Sequence, residues 1–257
     1  MLQLSQFNFS DCQVKIIGIP VYQRSTSNVY GSWHMDHCHS TQWTNYIWHT
    51  RGIKDKYVYL YESLQKFKLS DHIKKIDIPN YFYGTGNMIY NGSFIYHVEN
   101  TNTVQKFDLF TNQIIAKINI TDTFDDGNFL YPSKSAYFDM KVDDNGLWIL
   151  FKKFRSFKIL KVNIDNLKVQ KMWSLPENST DIQNSFIVCG NLYFINNVTV
   201  ERTKIITYYD LYLEKFGTTN LQFNNPYGKT VMISYNPSKN NIFSWDNGYP
   251  LLHPVLI

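Results

Sequence analysis

Three histidines, a cysteine and an aspartate crowd into six consecutive residues, His34-Met35-Asp36-His37-Cys38-His39. Imidazole, thiolate and carboxylate suit zinc, so the run first suggests a metal centre. Extended backbone argues against it, because neighbouring side chains leave opposite faces and do not converge on one ion. A closed zinc site also draws on two separated ligand pairs, and no second Cys/His cluster follows downstream. The expected reading is a surface loop. The acidic pairs Asp125-Asp126 and Asp143-Asp144 are adjacent for the same reason and do not read as an acid/base couple. Phe151-Lys152-Lys153-Phe154-Arg155-Ser156-Phe157-Lys158 interleaves aromatic and basic residues, a pattern able to stack on bases or grip acidic glycans. Its apolar spacing suits neither a strand nor a groove, and a solvated turn with aromatics beneath it is expected. No Gly-x-Ser-x-Gly elbow, Walker loop or dinucleotide fingerprint is present.

The elements that would position these residues follow from composition and period. The chain has 257 residues, of which 44% are hydrophobic and 18% charged, enough for one sizeable core. Aromatic residues make up 17% and favour half-buried pleated surfaces. No apolar run is long enough for a membrane helix. A net charge of +4 is far below what a dedicated nucleic-acid binder carries. The first residues lack a basic segment followed by an apolar run, so they do not read as a signal peptide. Cys12, Cys38 and Cys189 permit one bridge with a thiol left over, or three reduced thiols.

A short aromatic strand recurs at Tyr57–Tyr61, Gly92–Tyr96, Gly146–Leu150, Gly190–Ile195 and Asn241–Trp245. Its average interval matches one four-stranded propeller blade, and five such units fill the chain. Between them lie strand–turn–strand patterns at Lys106–Ile115, Ile159–Val169 and Ile206–Glu214, with Asp or Asn near the tip. These read as hairpins forming the outer half of a blade. The fold expected is all-β, a five-bladed β-propeller, with a β-sandwich as the fallback.

Read in order, several segments resemble the olfactomedin domain. Tyr30-Gly31-Ser32-Trp33-His34-Met35-Asp36 looks like that family's Gly-x-Trp segment. The stretch Tyr83-Gly84-Thr85-Gly86-Asn87-Met88-Ile89-Tyr90-Asn91-Gly92-Ser93 is close to its GTGxVVYNGSLYY. Phe138-Asp139-Met140-Lys141-Val142-Asp143-Asp144-Asn145-Gly146-Leu147-Trp148 is similar to IDLAVDENGLWVIY. Asn184–Tyr193 resembles NAFVICGTLY, and Ile233–Pro237 and Phe243–Gly248 look like IDYNP and LYAWNNG. The resemblance places the His34–His39 run as a connecting loop after a blade strand.

The resemblance implies a propeller domain over 12–257 behind a leader segment over 1–11, and a disulfide between Cys12 and Cys189. It implies a secreted, extracellular module that binds matrix or cell-surface proteins without catalysis, acting in adhesion and signalling. The start of the chain lies close to Cys12, so a fragment, an isolated domain or an incomplete gene model is expected, with an intracellular family member holding reduced cysteines as the alternative. Some family members hold calcium at the propeller axis. By the same resemblance Asp139 and Asn184 would supply side-chain oxygens, Ser185 and Ile233 backbone carbonyls, and Asp143 a nearby carboxylate. Ser234 stands where the pattern has a second ligating Asp, so a weak or lost calcium (Ca2+) site is expected. The competing reading is a propeller enzyme, a calcium-dependent hydrolase working at the axis. Sequons occur at Asn8, Asn91, Asn119, Asn178 and Asn197; Asn91, Asn119, Asn178 and Asn197 are candidate glycosylation sites if the chain is secreted.

Overall fold

Runs of aromatic and β-branched residues between turn signals fold into short antiparallel strands. The structure, a computed structural model, describes residues 12–38, 42–121, 123, 127–154, 156–176 and 182–257. The leader 1–11, His39, Asp125-Asp126, Arg155, Asn8 and Asn178 lie outside the described residues.

The N-terminal segment carries two short strands, β1 (Ile16–Ile17) and β2 (Val21–Tyr22). The first blade is β3 (Gly31–Met35), β4 (Ile47–Arg51), β5 (Lys54–Tyr61) and β6 (Lys74–Tyr83). A single helical turn, α1 (Leu64–Lys68), bridges its third and fourth strands and is capped by the Ser63 hydroxyl. The second blade is β7 (Met88–Tyr90), β8 (Ser93–His97), β9 (Thr103–Asp108) and β10 (Gln113–Asn119). The third is β11 (Phe138–Asp143), β12 (Gly146–Lys153), β13 (Ser156–Val162) and β14 (Val169–Ser174). The fourth is β15 (Asn184–Val188), β16 (Asn191–Ile195), β17 (Arg202–Asp210) and β18 (Lys215–Asn224). The fifth is β19 (Thr230–Asn236), β20 (Asn241–Asp246) and β21 (Tyr249–Leu256).

The last blade lacks a fourth strand of its own. Both β1 and β2 pair antiparallel with β21, so the start of the chain completes the sheet at its end and closes the ring.

Five apolar clusters explain why the sheets form a ring, because each cluster lies between two consecutive blades. Trp48, Ile89 and Phe94 join the first to the second; Met88, Met140 and Ile149 the second to the third. Trp148, Ile187 and Leu192 join the third to the fourth, and Phe186, Tyr193 and Tyr235 the fourth to the fifth. Trp33, Phe67, Phe243 and Trp245 close the fifth against the first. Wedge-shaped gaps between twisted sheets need large rigid side chains, which accounts for the aromatic content. The outer strands are mostly exposed and carry Lys74, Lys75, Lys117, Lys171 and Lys215, charges that discourage edge-to-edge pairing.

The recurring aromatic strand is the second of its blade at β8, β12, β16 and β20, as the period requires. In the first blade Tyr57–Tyr61 belongs to the third strand, and the equivalent strand is Ile47–Arg51. The Phe151–Lys158 stretch is not only a turn. It ends β12 and opens β13, burying Phe151 and Phe157 while Phe154 sits exposed at the tip.

Candidate functional site

The innermost strands β3, β7, β11, β15 and β19 meet around the central axis. On β11, Phe138, Met140 and Val142 enter the core shared with the second blade, so Asp139, Lys141 and Asp143 share the opposite face. The Lys141 ammonium lies 2.7 Å from Asp139 Oδ2 and also donates to the backbone carbonyl of Ile233 on β19. The Tyr131 hydroxyl donates to the same Asp139 oxygen at 2.7 Å and meets the Ser185 hydroxyl at 2.8 Å. One carboxylate and one ammonium thus tie the third blade to the fourth and fifth.

The rest of the axis is polar and closely joined. Ser32 donates to Asn87 Oδ1 at 2.6 Å, and Thr85 reaches across to the Val231 carbonyl at 2.6 Å. His37 places Nδ1 2.7 Å from the Ile89 carbonyl and Nε2 3.3 Å from the Ser234 hydroxyl. His34 lies beside Asn87, its ring nitrogens closing no hydrogen bond of normal geometry. Burial holds His34 well below the usual histidine range, and the charges of His37 and Lys141 push the same way. His37 is lowered by burial too, against its hydrogen bond to Ile89 and the charge of Asp36. Burial raises Asp139 and lowers Lys141, each opposed by the attraction of the other.

Gly84 and Gly86 make room for this packing. A Cβ on Gly86 would stand 2.3 Å from the Phe138 carbonyl oxygen and 3.0 Å from Asp139 Oδ1.

The surface-loop expectation for His34–His39 is overturned for the part described. Gly31–Met35 is the innermost strand of the first blade, and His34, Asp36 and His37 are all buried. Their polar side chains pack against the axis or the next blade, which a sequence window does not reveal. Zinc is not what they build, since His34 and His37 join no third ligand among the described residues. Cys38 is unpaired and half-buried.

Of the residues expected to bind calcium, Asp139, Ile233 and Ser234 do line the axis. Asn184 is buried there too, but its Oδ1 accepts the Ser185 N–H at 2.9 Å. Asp143 is elsewhere: it accepts from the Gly190 N–H at 2.6 Å, Trp148 Nε1 at 2.8 Å and the Asn145 N–H at 2.9 Å. It therefore pins the third blade to the fourth. Asp36 does the same between the first blade and the second, accepting from the Asn91 and Gly92 N–H groups at 2.8 and 2.7 Å. A hard divalent ion wants six to eight oxygens, several of them charged. Here the Asp139 carboxylate and the Ile233 carbonyl are already engaged by an ammonium, and Ser234 is neutral and turned to His37. The residues present do not fit calcium. The residue that sequence reasoning passed over is Lys141, although the signal was visible: the resembling stretch has Ala at that place.

Cys12 and Cys189 form a disulfide, with their Cα atoms 6.0 Å apart. It fastens the N-terminal segment to the turn between β15 and β16. Asn91 is exposed in an Asn-Gly hairpin turn with positive φ at both residues, Asn119 is exposed at the end of β10, and Asn197 is half-buried with Oδ1 bonded to Thr199.

Comparison with known proteins was consistent with this architecture. The olfactomedin-like domain pattern matches residues 7–257. Myocilin of Rattus norvegicus is 28% identical over 243 residues, which is 90% of this chain and 48% of the relative. Olfactomedin-like protein 3 of Xenopus tropicalis is 27% identical over 215 residues, 79% of this chain and 51% of the relative. The chain therefore spans about half the length of the curated relatives it matches. Among solved structures, the glutaminyl cyclase of Myxococcus xanthus superimposes with a TM-score of 0.54 at 10% identity, covering 94% of this chain and 97% of that one. That likeness shows the fold alone.

Proposed function

This chain belongs to the olfactomedin-like domain family, and we propose that it acts outside the cell as a non-enzymatic binding module for matrix or cell-surface proteins, in adhesion or signalling. The observation that carries this reading is the plugged axis. Asp139, Lys141, His34 and His37 are each at most 4% exposed, so none of them can meet a substrate. A hydrolase at the axis would need an accessible metal or acid/base pair. The surfaces left to work are the loops and rim of a rigid disc, where partners dock. A disulfide is at home in an oxidising compartment, which supports the extracellular reading. Exposure at Asn91 and Asn119 supports these two sequons as glycan acceptors.

The test is binding of the labelled, disulfide-intact chain to intact cells and to deposited matrix. Saturable binding, competed by unlabelled chain and lost after protease treatment of the surface, is the expected result. Calcium-dependent turnover of ester, peptide or glycoside substrates, with no saturable binding, would sink it. Chain from a secretory host should also lose mass on treatment with an N-glycosidase, and Asn91→Gln with Asn119→Gln should abolish that loss. An unchanged mass in the parent chain would refute glycosylation at both sites.

A further inference from the structure

We propose that the Lys141 ammonium serves as a tethered cation, holding the propeller axis together where a metal ion would otherwise stand. The inference does not depend on what the propeller binds. Its first support is position. The Lys141 Nζ contacts two oxygens that the family resemblance would give to a metal, the Asp139 carboxylate and the Ile233 carbonyl. Those two residues are 94 positions apart and come from different blades, so the ammonium bridges across the ring as a coordinated ion would.

The second support is charge. Where the resembling pattern has two aspartates and an alanine, this chain has Asp139, Ser234 and Lys141. Losing one carboxylate and gaining one ammonium lets a single positive charge balance the axis, with no divalent ion required. The third support is burial. Lys141 is 2% exposed and Asp139 4%, so neither charge is stable there without the other. Both lie on one face of β11, two residues apart, which fixes the pair by strand geometry. The tethered cation cannot dissociate, so chelation or dilution cannot empty the axis.

Thermal melting of the full disulfide-bonded chain, with millimolar calcium and with chelator, tests this. The parent chain should melt at the same temperature in both. Lys141→Met, which keeps the stem and removes the charge, should lower Tm by roughly 10 °C. Adding Asp139→Asn to it should recover most of that loss. Lys141→Ala with Ser234→Asp empties the ammonium's place and supplies a second carboxylate, so its Tm should rise by several degrees with calcium. A parent chain stabilised by calcium would overturn the proposal, as would a Lys141→Met variant melting like the parent. If the Ala/Asp variant fails to fold, the parent titration and the Met and Met/Asn pair still decide.

Discussion

At the scale of single residues, the axis tolerates almost no added volume. Gly86 abuts Phe138 and Asp139 so closely that the Cβ of Gly86→Ala would meet backbone atoms at 2.3 and 2.7 Å. Backbone cannot rotate away like a flexible side chain, so β7 and β11 must separate or the loop before β7 must move. The expected cost is about 3 kcal/mol, the upper end for overpacking, read as a fall in the denaturant midpoint. A midpoint within error of the parent would mean that the contact relaxes freely. Asp143→Asn tests a different element of the same economy of space. Its carboxylate accepts from the backbone of Gly190, the Trp148 indole and the backbone of Asn145. An amide exchanges one acceptor oxygen for a donor facing donors, and should cost roughly 2–3 kcal/mol. Equal stability of the parent and this variant in urea would show that the junction between the third and fourth blades does not rely on the charge.

At the scale of elements, the ring depends on a short segment that its own strands hold weakly. β1 and β2 have two residues each, and several of these, Ile16, Val21 and Tyr22, remain exposed. The Cys12–Cys189 bridge compensates by joining residues 177 apart, a cross-link worth ~4–5 kcal/mol in the chain-entropy model. Reduction, or Cys12→Ser with Cys189→Ser, should lower Tm by roughly 10 °C. It should also raise amide exchange first in β21, which loses β1 and β2 and keeps only β20 as a partner. Unchanged exchange in β21 would mean that pairing alone closes the ring. Blade number and the outer hairpins were legible in the chain because turn pairs such as Asn91-Gly92 and Asn247-Gly248 punctuate a recurring unit. Their φ values are 47° and 67°, and 50° and 89°, the left-handed geometry of tight hairpins. The phase of the first blade was not legible, because Tyr57–Tyr61 is as aromatic as the second strands and only pairing assigns it to the third. Asp139, Asn184 and Ser234 were singled out only by the family resemblance. Their neighbours were not, since contacts such as Lys141 to Ile233 and His37 to Ser234 join distant parts of the chain. Polarity near a turn reads as exposure in a sequence, whereas at a propeller axis it means burial with partners.

At the scale of the whole molecule, the buried histidines give the fold a pH dependence. His34, His37, His49, His97 and His253 are all buried, and all are pushed below the ordinary histidine value, first by burial. His97 falls to about 4 and His253 to about 3. An unfolded histidine takes up its proton near pH ~6.5, whereas these remain neutral in the folded chain. Unfolding therefore binds protons below that value, and stability is full above it and declines as pH falls towards the folded values. His97 and His253 together should contribute a slope of about 3 kcal/mol per pH unit once well below ~6.5. Burial also raises Asp139, Asp143 and Asp246, so these carboxylates work in the opposite sense. The folded chain keeps their protons to higher pH than the unfolded chain, which softens the loss at the acid end. Melting between pH 7 and 5 should accordingly fall, with most of the change below pH 6. His253→Gln should flatten that slope by about one proton, because Gln can still meet the Ser244 hydroxyl that His253 Nε2 contacts at 2.9 Å. A melting temperature constant from pH 7 to 5, or a His253→Gln slope equal to the parent's, would show that these imidazoles titrate alike in both states. The tethered cation sharpens the case for His34, since the fixed charge of Lys141 nearby opposes its protonation. The feature that would free the axis from dissolved metal thereby contributes to its sensitivity to acid.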